Sequence, residues 1–155
     1  MAHNRIIESF YSDDLKIARV VKSSQYGEFC DTAHCSPEDE PNKWDGQRIA
    51  ERRCDIAIQK AKVKDYQSRL KGMKHLQTML HNKFNDDKDY YTIGMIEVLD
   101  ELDHQVKIME RLTKNQIAFS NNLKDGLNDY IDFLQTTRAK ARTRAEALKN
   151  AENKE

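Results

Sequence analysis

Two long stretches of the chain place apolar residues at helical spacing, and the first runs from Trp44 to Phe84. Its large apolar residues recur every seven positions, or three residues after a heptad position, which indicates a helix packed along one face on other helices. They are Ile49, Ile56, Val63, Tyr66, Leu70, Met73 and Leu80. A run of about 40 residues, at roughly 1.5 Å per residue, predicts a rod of about 60 Å.

A second stripe on this first helix consists of small residues. Small side chains let a neighbouring element approach closely, whereas the large ones need a wider seam. The stripe therefore predicts a helix that lies between two neighbours; its members are Ala50, Cys54, Ala57 and Ala61.

The second stretch resumes the spacing of three and four residues at Met95 and keeps it to Leu134. A polar interval at residues 113–122 interrupts it, either as a register-fixing patch within one helix or as a break near 115–122. We expect one long helix with a local distortion there. The residues of this second stretch that we assign to the packing seam are Leu99, Leu102, Val106, Met109, Leu123 and Leu127.

Residues 82–88 predict the turn between the two helices, with Asn85 or Asp86 capping the second helix and with Asp87 and Asp89 favourable near its positive end. Two long helices joined by a short turn form an antiparallel hairpin. The predicted fold class is therefore mainly α, a long and coiled-coil-like αα-hairpin. Because two helices cannot bury two apolar faces on the first of them, we expect the chain to form a homo-oligomer with itself.

The chain before the first helix has a different composition. Residues 1–30 contain β-branched and aromatic runs separated by polar residues and Gly27, which predicts a small antiparallel β meander. Residues 31–43 contain both prolines, Pro37 and Pro41, and are expected to form a polar linker. The predicted organisation is thus a β-containing segment at 1–30, a linker at 31–43, and a helical hairpin with a basic C-terminal tail at 44–150.

The string from Tyr11 to Phe29, YSDDLKIARVVKSSQYGEF, resembles the openings of small uncharacterised proteins of tailed phages that infect marine cyanobacteria. The resemblance covers 19 residues and contains no catalytic motif. It implies a phage origin and a structural or accessory role. In such sequences the strand is expected to continue after Phe29, whereas here the residues from Cys30 to Cys35 are predicted to interrupt it.

Charge is arranged in blocks, although the formal net charge is zero. Residues 46–85 contain ten basic and three acidic side chains, and residues 86–111 contain three basic and eight acidic ones. A net charge of zero gives no overall electrostatic attraction to nucleic acid or to an anionic membrane. With no secretory leader or membrane-spanning run in the sequence, we expect a reducing cytoplasm, or a virion if the protein is phage-encoded, and no membrane partner.

A basic stripe on the first helix is the main candidate for binding a partner. Its cations match the periodic charge of a phosphate backbone, and an acidic protein is a further alternative. We expect them instead to face the acids of the neighbouring helix, or solvent. In the intramolecular alternative, Glu97, Asp100, Glu101 and Asp103 would lie beside Lys60, Lys71 and Lys74. The stripe consists of Arg53, Lys60, Lys64 and Lys71, and a second basic patch in the tail consists of Arg138, Lys140, Arg142 and Arg144.

Candidates for metal binding or catalysis are weak. A zinc site around Cys30 and Cys35 would need ligands from Asp31, His34, Cys54 or His3, which do not form two pairs of the usual spacing. Glu101 and His104 have the Glu-x-x-His spacing of di-metal bundles, near Glu97, Asp100, His75 and His81, but a second such motif is missing from the first helix. We expect no catalytic residues, no metal and no cofactor.

The pattern as a whole favours a non-enzymatic structural or adaptor protein that acts through helical self-association. The alternative is an accessory protein that binds nucleic acid without sequence specificity, of the phage packaging or recombination type, through the basic stripe and the basic tail.

Overall fold

A computed structural model describes residues 4–36, 42–86 and 93–154. The elements are strands β1 (Arg5–Ser12), β2 (Ile17–Ser24) and β3 (Gly27–His34), followed by helices α1 (Lys43–Asp86) and α2 (Ile93–Glu152). The predicted fold class is confirmed at this level, because two long helices follow a small N-terminal sheet.

The three strands form an antiparallel sheet in the order β1-β2-β3. Gly27 begins β3 with a φ of 114°, a left-handed conformation that side chains with a Cβ rarely adopt. The linker was predicted to begin at residue 31, and the strand to be interrupted after Phe29. Both predictions are wrong, because β3 continues to His34. The physical reason is that residues 31–34 find ladder partners along the first half of β2, from Ile17 to Val20.

Helix α1 begins where the sequence predicts. The side chain of Asn42 accepts a hydrogen bond from the backbone N–H of Asp45 at 3.1 Å, as an N-cap residue does. The predicted turn is wrong at its start, since the helix continues to Asp86 and holds Asn85 and Asp86 within it. The roles expected for Asp87 and Asp89 lie outside the described residues.

The first turns of α1 pack on the sheet through small residues. Ala50 and Cys54 are fully buried against Val20 and Ala33. Gly46 lies so close to β2 that a Cβ there would approach the Cβ of Ala18 to 2.9 Å, and only glycine fits. Two of the four predicted small residues thus contact the sheet, and this neighbour, rather than a second helix, covers the small face over the first turns of α1.

The two helices lie side by side in opposite directions. Arg52 donates a hydrogen bond to the carbonyl of Gly126 at 3.4 Å, whereas Lys74, farther along α1, pairs with Glu110 at 2.8 Å. Helix α2 continues through the polar interval at 113–122, so a break there is excluded. Its buried residues recur every seven positions across that interval: Leu99, Val106, Thr113, Ser120 and Leu127.

Most residues predicted for the packing seam are half-buried within this single chain. Leu99, Val106 and Leu127 are buried. The half-buried ones are Ile49, Ile56, Val63, Tyr66, Leu70, Met73, Leu80, Leu102, Met109 and Leu123.

Candidate interaction surfaces

Helix α2 carries large apolar side chains that neither α1 nor the sheet covers. Val98 is 63% exposed, Phe119 is 51% exposed and Phe133 is 64% exposed, and Leu112 is also exposed. These four residues are separated by multiples of seven positions, so they lie along one line of the helix. We call them the apolar ridge. At about 1.5 Å per residue the ridge is roughly 50 Å long.

The ridge was not recognised in the sequence, although its signal is present there. Each ridge residue immediately precedes a residue of the heptad series that contains Leu99 and Leu127, so the apolar surface of α2 is wider than one partner helix can cover. The predicted seam contains Leu99 and Leu127 but not the neighbouring line of the same period, which is one residue earlier.

A polar layer lies in the middle of the contact between the helices. The amide of Gln59 donates hydrogen bonds to the backbone carbonyl of Gln116 at 3.1 Å and to its side-chain oxygen at 2.9 Å. Thr113 and Ser120 are buried one turn to either side of Gln116. The Thr113 hydroxyl has no hydrogen-bond partner among the described residues. Within the polar interval, Thr113, Gln116 and Ser120 therefore form a polar layer that faces α1, and the other residues of the interval are exposed. That this layer fixes the register of the two helices stays a prediction.

The basic stripe divides into a structural residue and three exposed ones. The guanidinium of Arg53 donates to the carbonyl of Thr32 at 2.9 Å, which ties α1 to β3. Lys60, Lys64 and Lys71 are exposed and form no ion pair with any residue that the structure describes. These three lysines remain available to a partner.

The intramolecular pairing predicted for the stripe is wrong in its register. Lys74 pairs with Glu110, and Asp103 instead accepts hydrogen bonds from Gln77 at 2.9 Å and His81 at 2.8 Å. The cause is the continuation of α1 to Asp86, which places the acids of residues 97–103 beside the end of α1 rather than beside its middle. The hydrogen bonds from His81 and Gln77 lower the pKa of Asp103.

The basic patch of the tail is split in the same way. Arg138 is half-buried and lies 3.5 Å from Asp45 at the start of α1. Lys140, Arg142 and Arg144 are exposed on the last turns of α2. Because Arg138 already lies beside the start of α1, the turns of α2 that follow extend past the end of its partner helix.

An aromatic clamp joins α2 to the start of α1. The Tyr130 hydroxyl donates to Asp45 at 3.1 Å, and the guanidinium groups of Arg48 and Arg52 lie 5.6 and 4.6 Å from the centre of its ring. Cations over an aromatic face are attracted by its quadrupole. The clamp holds α2 against the start of α1, at the end of the helix pair opposite the predicted turn. It was not predicted from the sequence.

A buried lysine links the sheet to α1. Lys22 is only 6% exposed, and its ammonium group lies 2.7 Å from Asp55 and 3.0 Å from Glu51. Burial lowers the pKa of Lys22, but the hydrogen bonds to Asp55 and Glu51 outweigh that effect and raise it overall. The position of both acids on α1 sets the register of that helix on the sheet.

The cysteines do not assemble into a metal site among the described residues. Cys54 is buried, with its Sγ 3.3 Å from the carbonyl of Val20, and burial raises the pKa of its thiol to about 11. Cys30 is exposed and accepts a hydrogen bond from Arg19 at 2.9 Å, and Cys35 is a third free thiol. The described part of the chain contains no group of three or more His, Cys, Asp or Glu side chains that could hold a metal, and His3 lies outside it.

The Glu-x-x-His spacing on α2 does not produce a site. Glu97, Asp100, Glu101 and His104 are all exposed, and so is His75 on α1. The ring of His81 instead contacts the carboxylate of Asp103.

A cavity of about 250 Å³ lies between the sheet and the last third of α2. Three of its polar side chains have partners: Tyr11 donates to Asp13, Arg53 donates to Thr32, and Arg138 pairs with Asp45. The hydrogen bond to Asp13 raises the pKa of Tyr11 to about 12. These side chains support the joint between the sheet and α2 instead of converging on a ligand.

Neither helix, over its described length, is apolar enough to cross a membrane. No protein-family model matches the chain, and the searches of curated proteins and of solved structures also found no match.

Proposed function

We propose that this protein is a non-enzymatic structural or adaptor protein that acts through helical self-association. In this proposal the two helices form a coiled-coil-like antiparallel hairpin that serves as a rigid rod, and the N-terminal sheet braces the first turns of α1. The observation that carries the proposal is the apolar ridge of Val98, Leu112, Phe119 and Phe133, which stays exposed after the chain has packed on itself. A row of large exposed apolar side chains along one side of a helix is typical of an interface.

The short resemblance of residues 11–29 to phage proteins supports a further part of the proposal, namely that the protein is phage-encoded. It would then act in the host cytoplasm or within the virion. This part rests on the N-terminal string alone and is independent of the ridge.

The proposal is tested by light scattering coupled to size exclusion, run at about 50 and about 500 mM salt, with and without a short DNA duplex. We expect a homo-oligomer of constant mass under all four conditions. A monomer at every concentration up to the millimolar range would refute self-association.

The alternative function, nucleic-acid binding without sequence specificity, is favoured by the three exposed lysines of the basic stripe. Lys60, Lys64 and Lys71 project from one side of α1 without ion pairs to the described residues, and Lys140 and Arg144 add charge on the tail. Each phosphate contact would release a counterion, so binding would weaken steeply with salt. A DNA-bound species at low salt that dissociates at high salt would support this alternative, and the same lysines could equally attract an acidic protein.

A further inference from the structure

We propose that the apolar ridge binds the ridge of a second copy of the chain, with the two α2 helices antiparallel about a two-fold axis near Asn115 and Gln116. The inference rests on the proposed self-association and deepens it, because it names the surface, the partner and the orientation.

The ridge lies on the free edge of the helix pair. Glu110 and Asp103, which pair with Lys74 and His81, each lie four residues after a buried residue of α2, on one side of the helix contact. The ridge residues each lie one residue before a buried residue, or before Leu134 of the same series, which places them on the opposite side. One edge is therefore closed by ion pairs, and the other edge is apolar and open.

The ridge is self-complementary when reversed. Val98 and Phe133 are equally distant from its midpoint, and so are Leu112 and Phe119. An antiparallel two-fold contact therefore places Val98 on Phe133 of the second copy and Leu112 on Phe119. The two interruptions of the period, Gln105 and Gly126, also fall opposite each other, so the long glutamine side chain meets the residue with no side chain.

Charge distinguishes the two orientations. In the antiparallel one, Arg138 lies opposite Ile93 of the second copy, so the basic patch that begins there approaches Glu97, and residues 97–103 face residues 128–134, which contain two acidic side chains and no basic one. A parallel arrangement would instead set all four acids of residues 97–103 beside the same acids of the second copy, and the basic patch beside itself, which is less favourable. Long-range charge thus favours the antiparallel orientation, whereas the ridge supplies the apolar contact.

Spin-label distances test the orientation directly. Single cysteines would be introduced as Asn115→Cys and, three heptads away on the same side of α2, as Thr136→Cys, both at exposed positions. The background would be Cys30→Ser with Cys35→Ser, because Cys54 is buried from the label. The antiparallel dimer predicts a separation below about 25 Å for labels at 115, since packed helices lie 8–10 Å apart, and of about 60 Å for labels at 136.

A matched pair of double variants tests the surface. Leu112→Ser with Phe119→Ser removes the centre of the ridge, whereas Leu15→Ser with Phe10→Ser removes an exposed leucine and an exposed phenylalanine from the sheet region. We expect the ridge variant to raise the dissociation constant of the dimer at least about a hundredfold, because apolar anchors at the centre of an interface dominate its affinity, and the control to leave it unchanged. Far-UV circular dichroism verifies that both variants stay helical.

The outcomes separate the two proposals. A wild-type chain that stays monomeric overturns the proposed self-association and this inference together. A dimer with short distances at both label positions, or one that the ridge variant leaves intact, overturns the inference alone and leaves self-association standing. Because the labels occupy exposed positions outside the ridge and leave its four residues unaltered, they decide the orientation even if the serine variants fail to fold.

Discussion

Replacing the buried Thr113 with valine should stabilise the protein. Thr113 is only 4% exposed, and its hydroxyl has no partner among the described residues. Folding therefore removes the hydrogen bonds of that hydroxyl to water and does not replace them. An unsatisfied buried hydroxyl costs about 1–3 kcal/mol. Valine has nearly the same shape, is also β-branched and has a similar helix propensity, so the substitution removes the cost and keeps the packing.

We therefore expect Thr113→Val to raise the free energy of unfolding by about 1 kcal/mol or more, and the midpoint of thermal unfolding by roughly 2–4 °C. The measurement is urea and thermal unfolding followed by circular dichroism at 222 nm. Protein concentration must be the same for all variants, because the proposed self-association would make the midpoint depend on concentration.

Thr78→Val is the matched control. Thr78 is also a helical threonine, but it is exposed and its hydroxyl donates to the carbonyl of Lys74 at 3.0 Å. The control should change stability by less than about 0.5 kcal/mol in either direction, as exposed surface substitutions usually do. A Thr113→Val variant that is less stable than wild type, or that shifts only as much as the control, would show that the hydroxyl has a partner and would refute the reasoning.

Three further perturbations test the packing of α1. Ile56→Asp with Val63→Asp places charges in the predicted seam and should yield unfolded or monomeric chains by circular dichroism and light scattering. Lys22→Ala leaves two carboxylates facing each other and should cost about 2 kcal/mol in urea unfolding at neutral pH, less than for a fully buried pair because the acids remain partly exposed. The raised pKa of the Cys54 thiol favours its neutral form in the folded state, so its contribution of about 3 kcal/mol is complete below pH 9 and is lost as the pH rises through 11.

Each of these has its own control. A stable folded monomer with both aspartates would refute the seam assignment. Lys60→Ala, at an exposed lysine without an ion pair to the described residues, should leave the free energy of unfolding nearly unchanged. If Lys22→Ala lost no more stability than Lys60→Ala, that result would contradict the buried ion pair. For the thiol, the difference in stability between wild type and Cys54→Ala should shrink between about pH 9 and pH 11, and a constant difference would mean that Cys54 does not titrate in that range.

In the N-terminal sheet, the local sequence pattern predicts that strands form but not where the last of them ends. Alternating β-branched residues and the glycine at position 27 predict the meander, since strand propensity and turn chemistry are local properties. The end of β3 was missed because Asp31 and His34 are polar and enter the sheet only through their pairing with β2. That pairing is a long-range contact, and the local pattern does not contain it.

The two helices, their order and their main apolar faces follow from the residues alone, because a heptad period dictates which face of a helix is apolar. What covers each face depends on long-range contacts, and these belong to the tertiary structure. The sheet covers the small face over the first turns of α1, and Gln59 contacts Gln116 within the polar interval of α2. The packing of the two helices also sets the register in which Lys74 pairs with Glu110. The tertiary structure also exposes the apolar ridge, since the width of an apolar surface has meaning only once the surface of its neighbour is known.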